Sequence, residues 1–252
     1  MAKIIAVANQ KGGVGKTTTC VNLSAAMNQL GKRVLLVDGD PQGNASTGMG
    51  VAKSTRPNTY DMLINEATAA ECVVQTESGD VIPASKELAA ASVELIGAQA
   101  REYVMKSALM TLYSEYDYIF IDCPPSLELL TVNALVAADS VLIPMQCEYY
   151  ALEGIADLVT SIKMCKKRLN KRLEVEGIVL TMYDARANLT SQVAAELRKY
   201  LEGKVYDTVI PRSIRLSEAP SHGLPGIVYD KFNKGSRAYM ELAREFIARN
   251  EN

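Results

Sequence analysis

The chain has 252 residues, a formal net charge of −2 and one histidine, His222. This near-balance of charge excludes a globally basic nucleic-acid-binding protein, so any contact with nucleic acid has to come from a local patch. The five cysteines are dispersed without a C-x-x-C pair, which favours buried thiols in a reduced cytosol over a disulfide frame or metal site. Since no apolar run reaches membrane-spanning length and no signal peptide is recognisable, we expect a cytoplasmic protein without a membrane partner.

A glycine-rich segment lies between a strand and a helix near the start of the chain. The apolar, β-branched residues 4–8 indicate a buried strand, and apolar residues at helical spacing follow from Thr19. Between them, residues 9–18 read Asn-Gln-Lys-Gly-Gly-Val-Gly-Lys-Thr-Thr. Glycines let the backbone curl so that its amides converge on an anion at the helix start. The pattern predicts a phosphate-binding loop in which Lys16 reaches the β- and γ-phosphates and the Thr17 hydroxyl ligates Mg²⁺.

The remaining elements alternate between strands and helices along the chain. Strands are expected at residues 34–37, 81–84, 93–96, 118–122, 140–145 and 176–182. Helices are expected near residues 60–64, 99–113, 127–137, 151–169, 189–201 and 236–248, with an irregular Gly/Pro loop at 211–231. This alternation predicts an α/β fold, a doubly wound, mostly parallel sheet with helices on both faces, in a single P-loop domain over residues 1–252.

Carboxylates follow two of the predicted strands. Asp122 ends one strand in a Walker B pattern, which would hold Mg²⁺ through a water, and Asp38 and Asp40 follow the strand at residues 34–37. Ligands of doubly wound sheets bind at the carboxyl ends of the strands. An aspartate in such a turn often only caps backbone amides, so one member of the pair is expected to be structural, and the residues alone leave open which.

The glycine loop departs from the common Walker A pattern. Gln10 stands where that pattern has glycine, and Lys11 is an additional lysine. In this form the loop resembles the deviant Walker A loop of the ParA/MinD superfamily of P-loop ATPases. The resemblance implies ATP held by Lys11, Gly12, Gly13, Val14, Gly15, Lys16, Thr17 and Thr18, and Mg²⁺ held by Thr17, Asp40 and Asp122.

The resemblance also implies the catalytic roles, which fall to Lys11, Lys16 and Asp40. In that superfamily the extra lysine, here Lys11, reaches the nucleotide of the other subunit in an ATP-dependent homodimer. The second aspartate of the Asp-x-Asp pair, here Asp40, orients or activates the attacking water, which favours it over Asp38. Positioning matters more than strong base catalysis in loose phosphoryl-transfer transition states, so such an aspartate suffices.

Similarity to the superfamily continues along the chain. Residues 144–154 resemble its dimer-face segment, and residues 181–186 and 209–212 resemble the segments that flank adenine, which assigns Met182 and Pro211 to the base. Residues 213–221 are close to the chromosomal ParA (Soj) pattern. The resemblance therefore implies non-specific binding of double-stranded DNA, in which Arg186 and Arg215 match the family's arginines by position and Arg212 and Lys199 are neighbours that could contribute. The basic run at residues 163–172 fits a solvated helix end as well as it fits a DNA contact.

The function implied by this resemblance is DNA partitioning by a Mg²⁺-dependent ATPase associated with the nucleoid. ATP would close a sandwich dimer that binds DNA, and a ParB-type partner would stimulate hydrolysis and release. Two alternatives stay open: an ATPase that positions a protein cargo on the nucleoid, and a regulatory nucleotide switch with negligible turnover. A membrane-bound MinD-like protein is not expected, because Tyr239, Leu242 and Phe246 form a stripe typical of a core-docking helix.

Overall fold

The structure, a computed structural model, describes residues 1–148 and 151–251. Its strands are β1 (Lys3–Val7), β2 (Val34–Asp38), β3 (Val74–Thr76), β4 (Gly79–Ile82), β5 (Tyr118–Asp122), β6 (Ser140–Gln146) and β7 (Glu174–Thr181). They form one sheet in the order β3-β4-β2-β5-β1-β6-β7. All neighbouring strands pair in parallel except β3, which is antiparallel to β4. The predicted doubly wound sheet is confirmed.

Helices cover both faces of this sheet. They are α1 (Lys16–Gln29), α2 (Asn44–Gly48), α3 (Thr59–Leu63), α4 (Leu88–Glu94), α5 (Val104–Leu109), α6 (Leu129–Ala137), α7 (Ala151–Arg168), α8 (Asn188–Tyr200), α9 (Ile214–Glu218), α10 (Gly226–Tyr229) and α11 (Lys234–Glu251). Alternate strand residues point to opposite faces, so Ile4 and Ile119 join one apolar cluster while Ile5 and Phe120 join the other. None of the described helices combines the length and hydrophobicity of a membrane span.

The register of the central strands brings the predicted site residues to one edge. Val7 at the end of β1 pairs with Asp122 at the end of β5, and Asp38 at the end of β2 pairs with Asp122 from the other side. The glycine loop that follows β1 therefore lies next to both carboxylates. All residues of β2 and β5 are buried, as expected for central parallel strands covered on both faces.

Several parts of the predicted secondary structure are wrong or incomplete, and the short helix α2 was not predicted. Residues 93–96, predicted as a strand, end α4 and form a 3-10 turn at Leu95–Gly97, because Leu88, Ala91 and Leu95 are buried at helical spacing. The short strand β3 was not predicted; its partly exposed residues have no apolar pattern to reveal an edge strand. The predicted irregular loop at 211–231 contains α9, α10 and a 3-10 turn.

A buried carboxylate joins the last helix to the sheet. The Glu176 carboxylate in β7 accepts hydrogen bonds from Lys3 Nζ at 2.6 Å, Ser140 Oγ at 2.6 Å and Asn250 Nδ2 at 2.8 Å. Burial alone would raise the pKa of Glu176, but these donors outweigh it and hold the pKa below its ordinary value of 4.5.

We expect Glu176→Gln to lower the free energy of unfolding by about 1–3 kcal/mol at neutral pH, because it removes a charge that three donors stabilise. A lowered folded-state pKa adds stability above pH 4.5 that is lost as the pH falls through the depressed value. The difference from wild type in urea unfolding should therefore shrink in acid. Glu174→Gln, at an exposed position of the same strand, is the control, and an equal loss in both variants would contradict the assignment.

Candidate functional site

The glycine loop adopts the backbone conformation that its sequence predicts. Gly13 and Gly15 have φ angles of +74° and +87°, in the left-handed region that favours glycine. Gly15 is the N-cap of α1, and no side chain in the described part of the chain caps this helix end. The first amides of α1 are therefore available to an anion, and the helix dipole favours negative charge at the same place.

The two lysines of the loop have different surroundings. Lys16 is buried, and its Nζ donates to the Lys11 carbonyl oxygen at 3.0 Å across the inside of the loop. Burial lowers the pKa of Lys16, while the nearby carboxylate of Asp122 opposes that shift. The Lys11 side chain is 42 % exposed, and its Nζ lies 3.8 Å from Glu148 Oε2. One lysine therefore points into its own loop, and the other is presented at the surface.

Asp122 has the features of a carboxylate that holds a hydrated cation. It is fully buried, and its Oδ2 has no hydrogen-bond partner among the described residues. Burial, and then the charge of Asp38, raise the pKa of Asp122; the nearby Thr17 hydroxyl and Cys20 thiol oppose the shift. Mg²⁺ prefers oxygen ligands and keeps several waters, so one or two carboxylates with a hydroxyl suffice. The residues present fit Mg²⁺ held by Thr17 and Asp122, and the metal role expected for Asp40 stays a prediction.

Asp38 and Asp40 have different hydrogen-bond partners. Asp38 Oδ2 accepts hydrogen bonds from the Ser46 amide at 2.7 Å and the Ser46 hydroxyl at 2.6 Å, and its Oδ1 accepts from the Asp40 amide at 3.2 Å. Oδ2 of Asp38 thus holds α2 against β2, and Oδ1 caps the turn that follows β2. Asp40 is 8 % exposed and uses Oδ1 to accept from the Gln42 amide at 2.9 Å. The carboxylate of Asp40 can therefore accept a further hydrogen bond from a water.

Residues that the sequence did not single out hold the loop in place. Thr181 Oγ1 donates to the Val14 carbonyl oxygen at 2.8 Å, and Gln146 Nε2 donates to that of Gly13 at 3.1 Å. Both lie at the carboxyl ends of strands, β7 and β6, and that position was the one signal that could have identified them. Gly39 is also required, because a Cβ there would lie 2.8 Å from the Asp122 carbonyl oxygen.

The two segments assigned to adenine meet at the same sheet edge. Tyr183 and Pro211 form a parallel bridge, and the Tyr183 amide donates to the Ile210 carbonyl oxygen at 2.9 Å. Met182, with a φ of +49°, lies just before this bridge, and its Sδ accepts from Gln146 Nε2 at 2.7 Å. Met182 thereby lies near the loop, whereas Pro211 lines the groove that also contains Arg186 and Arg212. In the predicted dimer-face segment, Tyr149 and Tyr150 lie outside the described residues.

The three arginines assigned to DNA are not all grouped together. Arg186 and Arg212 line one open groove of about 860 Å³, whereas Arg215 lies outside it on α9. Arg186 pairs with Asp184 at 3.1 Å, and Arg215 pairs with Glu218 at 2.9 Å and Asp230 at 3.6 Å. Among the carboxylate side chains that the structure describes, none forms an ion pair with the Arg212 guanidinium.

Comparison with known proteins agrees with this geometry. A family model described as an AAA domain matches residues 2–175. The chain is 55% identical over 251 residues to the sporulation initiation inhibitor protein Soj of Bacillus subtilis, covering 98% of this chain and 99% of that protein. It is 50% identical over 252 residues to the chromosome partitioning protein ParA of Caulobacter vibrioides, covering 98% and 94%. The chain belongs to the Soj/ParA family.

The Soj/ParA chain also resembles a solved structure outside that branch. A cobyrinic acid a,c-diamide synthase from Mycobacterium smegmatis, solved with bound ADP and magnesium, superposes with a TM-score of 0.85 at 35% identity. The match covers 97% of this chain and 93% of the synthase. The doubly wound nucleotide-binding fold is therefore shared with an enzyme named for another activity, so the fold alone does not assign the function.

Proposed function

We propose that this chain is a Mg²⁺-dependent ATPase that partitions DNA through an ATP-dependent homodimer. The observation that carries the proposal is that the two lysines of the loop have different surroundings. Lys16 is buried on its own side of the loop, whereas Lys11 is presented at the surface, where a second subunit can meet it.

The geometry around the loop supports the following catalytic roles. The free amides of α1 and the Lys16 ammonium group bind the β- and γ-phosphates. Thr17 and Asp122 hold Mg²⁺, which would neutralise charge that develops on the transferring phosphoryl group. Asp40 orients the attacking water, with its own carboxylate fixed by the Gln42 amide. Lys11 of the other subunit adds a cation to the same phosphoryl group, so that dimerisation and hydrolysis are coupled.

The proposed binding to DNA depends on a small number of exposed basic side chains. Arg186, Arg212 and Arg215 are exposed, and a chain with a net charge of −2 gains a useful positive field only where such residues meet. A dimer presents two sets, which raises affinity steeply. We further propose a ParB-type protein as the partner that stimulates hydrolysis, and a cytoplasmic, nucleoid-associated location.

Retention on non-specific duplex DNA tests this function. We expect retention with ATP and not with ADP, kept by Asp40→Ala and weakened by Arg212→Glu. Each phosphate contact that is lost should lower the magnitude of the log–log salt slope by about 0.9. Lys86→Glu makes the same charge change at an exposed site outside the groove and should leave retention unchanged.

Absence of retention in every nucleotide state, with ATP-dependent dimerisation intact, would contradict the DNA-binding part of the proposal. An ATPase that positions a protein cargo, or a regulatory nucleotide switch, would then be the better proposal. Retention that is equal in ATP and ADP would contradict the nucleotide switch instead.

A further inference from the structure

Two large apolar side chains are exposed beside the basic groove. Ile214 is 76 % exposed at the start of α9, and Phe232 is 69 % exposed in the turn before α11. Both line the groove that contains Arg186 and Arg212. Both side chains lie in water within one groove. A contact that covers them would be favourable, because it would bury their apolar surface.

Positive charge surrounds this apolar pair. The groove is also lined by Lys234 and Arg237, whereas its two carboxylates are Asp184 and Glu241. Asp184 already pairs with Arg186. In addition, Lys231 Nζ lies 5.1 Å from the centroid of the Phe232 ring. Cations outnumber carboxylates around the apolar pair, so the complementary partner carries repeated negative charge with apolar surface between the charges.

The backbone around the pair is fixed by one asparagine. Asn233, next to Phe232, accepts from the Ser213 hydroxyl at 2.7 Å and from the Gly235 amide at 2.9 Å through its Oδ1. Ser213 in turn directly precedes Ile214. The two segments that carry the apolar side chains are therefore joined, and little ordering is needed when a partner binds.

We propose that Ile214 and Phe232 contact the sugars and base edges of duplex DNA while the groove cations hold its phosphates. This inference rests on the DNA-binding function proposed above and adds an apolar, salt-independent component to it. Duplex DNA presents deoxyribose and base edges between regularly spaced phosphates, and proteins that enter its minor groove often use apolar side chains there. An acidic protein segment is the competing partner.

The test separates apolar from ionic contacts. We expect the double variant Ile214→Ala/Phe232→Ala to bind a short non-specific duplex with ATP about tenfold more weakly, at an unchanged salt slope. Arg212→Ala should lower the slope instead. Inorganic polyphosphate offers charge without apolar surface, so its binding should not distinguish the double variant from wild type. Ile96→Ala, at a remote site that is 63 % exposed, is the control for loss of an exposed apolar side chain.

The outcomes distinguish this inference from the function on which it rests. Failure of the wild-type protein to bind DNA would contradict the proposed function itself. Wild-type binding that the double variant retains in full would overturn the inference alone. A double variant that binds DNA normally but is no longer stimulated by the ParB-type partner would also overturn the inference, because Ile214 and Phe232 would then contact a protein. Thermal melting of the double variant should match wild type, since both side chains are exposed.

Discussion

Replacing Lys11 by alanine is expected to lower ATP turnover by about 10³-fold, the low end for a cation supplied by a partner, because lysine lacks the bidentate fork of arginine. ATP binding should persist, since buried Lys16 and the amides of α1 are untouched. The ATP-dependent dimer should be lost or strongly weakened. Turnover, nucleotide affinity and the sedimentation coefficient with ATP are the measurements.

The contact that Lys11 makes within its own chain does not account for such an effect. Its ion pair with Glu148 is long, at 3.8 Å, and both side chains are largely exposed, so it contributes little to stability. Glu148→Gln is the matched control, because it removes this pair without removing the lysine. Lys16→Ala should lose nucleotide binding, which separates the two lysines. A Lys11→Ala protein that still dimerises with ATP would contradict a role across the interface.

The sequence identified the phosphate-binding part of the site because that part is local. A strand, a glycine loop and a helix follow one another within residues 3–29, and the Lys16 ammonium group needs no distant segment to point into the loop. The position of Asp122 follows from the strand pattern and from the rule that ligands bind at the carboxyl ends of parallel strands. The parallel pairing of the central strands was therefore predictable, whereas their order in the sheet was not predicted.

The choice between Asp38 and Asp40 was not predictable from the residues. Asp38 becomes structural because Ser46 reaches it from α2, and the Ser46 hydroxyl in turn accepts from the Ala84 amide at 2.9 Å. These contacts join segments that are far apart in the chain, and no local pattern specifies them. The same holds for Thr181, which contacts the loop from a strand that lies 167 residues later.

Only some of the ion pairs of these arginines could be predicted from the sequence. The Arg215–Glu218 pair has helical i, i+3 spacing, but the Asp230 carboxylate comes from the segment after α10. Arg186 and Arg215 thus have carboxylate partners within the chain. The resemblance favoured Arg186 and Arg215 and added Arg212 as a neighbour, whereas these ion pairs make Arg212 the more informative arginine to mutate first.

We expect Asp40→Ala to lower turnover by about 10²–10⁴-fold, the range for loss of a positioned acid–base group, while ATP binding and dimerisation stay intact. Asp40 is not part of the network that holds α2, since Ser46 bonds to Asp38, so the fold should tolerate the change. Single-turnover hydrolysis and the dimer lifetime with ATP are the measurements. Asp40→Asn, which keeps the hydrogen bond from the Gln42 amide, is the conservative control. Normal turnover in Asp40→Ala would contradict the assignment.

Mixing the Lys11→Ala and Asp40→Ala proteins tests both assignments at once. If Lys11 acts across the interface, a mixed dimer contains one complete site, made of Asp40 from one subunit and Lys11 from the other. Because Lys11→Ala forms its own ATP-dependent dimer poorly, mixed dimers are the species that contain a working site, one of two. Turnover of the mixture should therefore rise well above that of either variant alone and stay below half of the wild-type value. If Lys11 acted on the nucleotide of its own chain, every site in the mixture would lack one of the two residues, and turnover would stay at the level of the single variants.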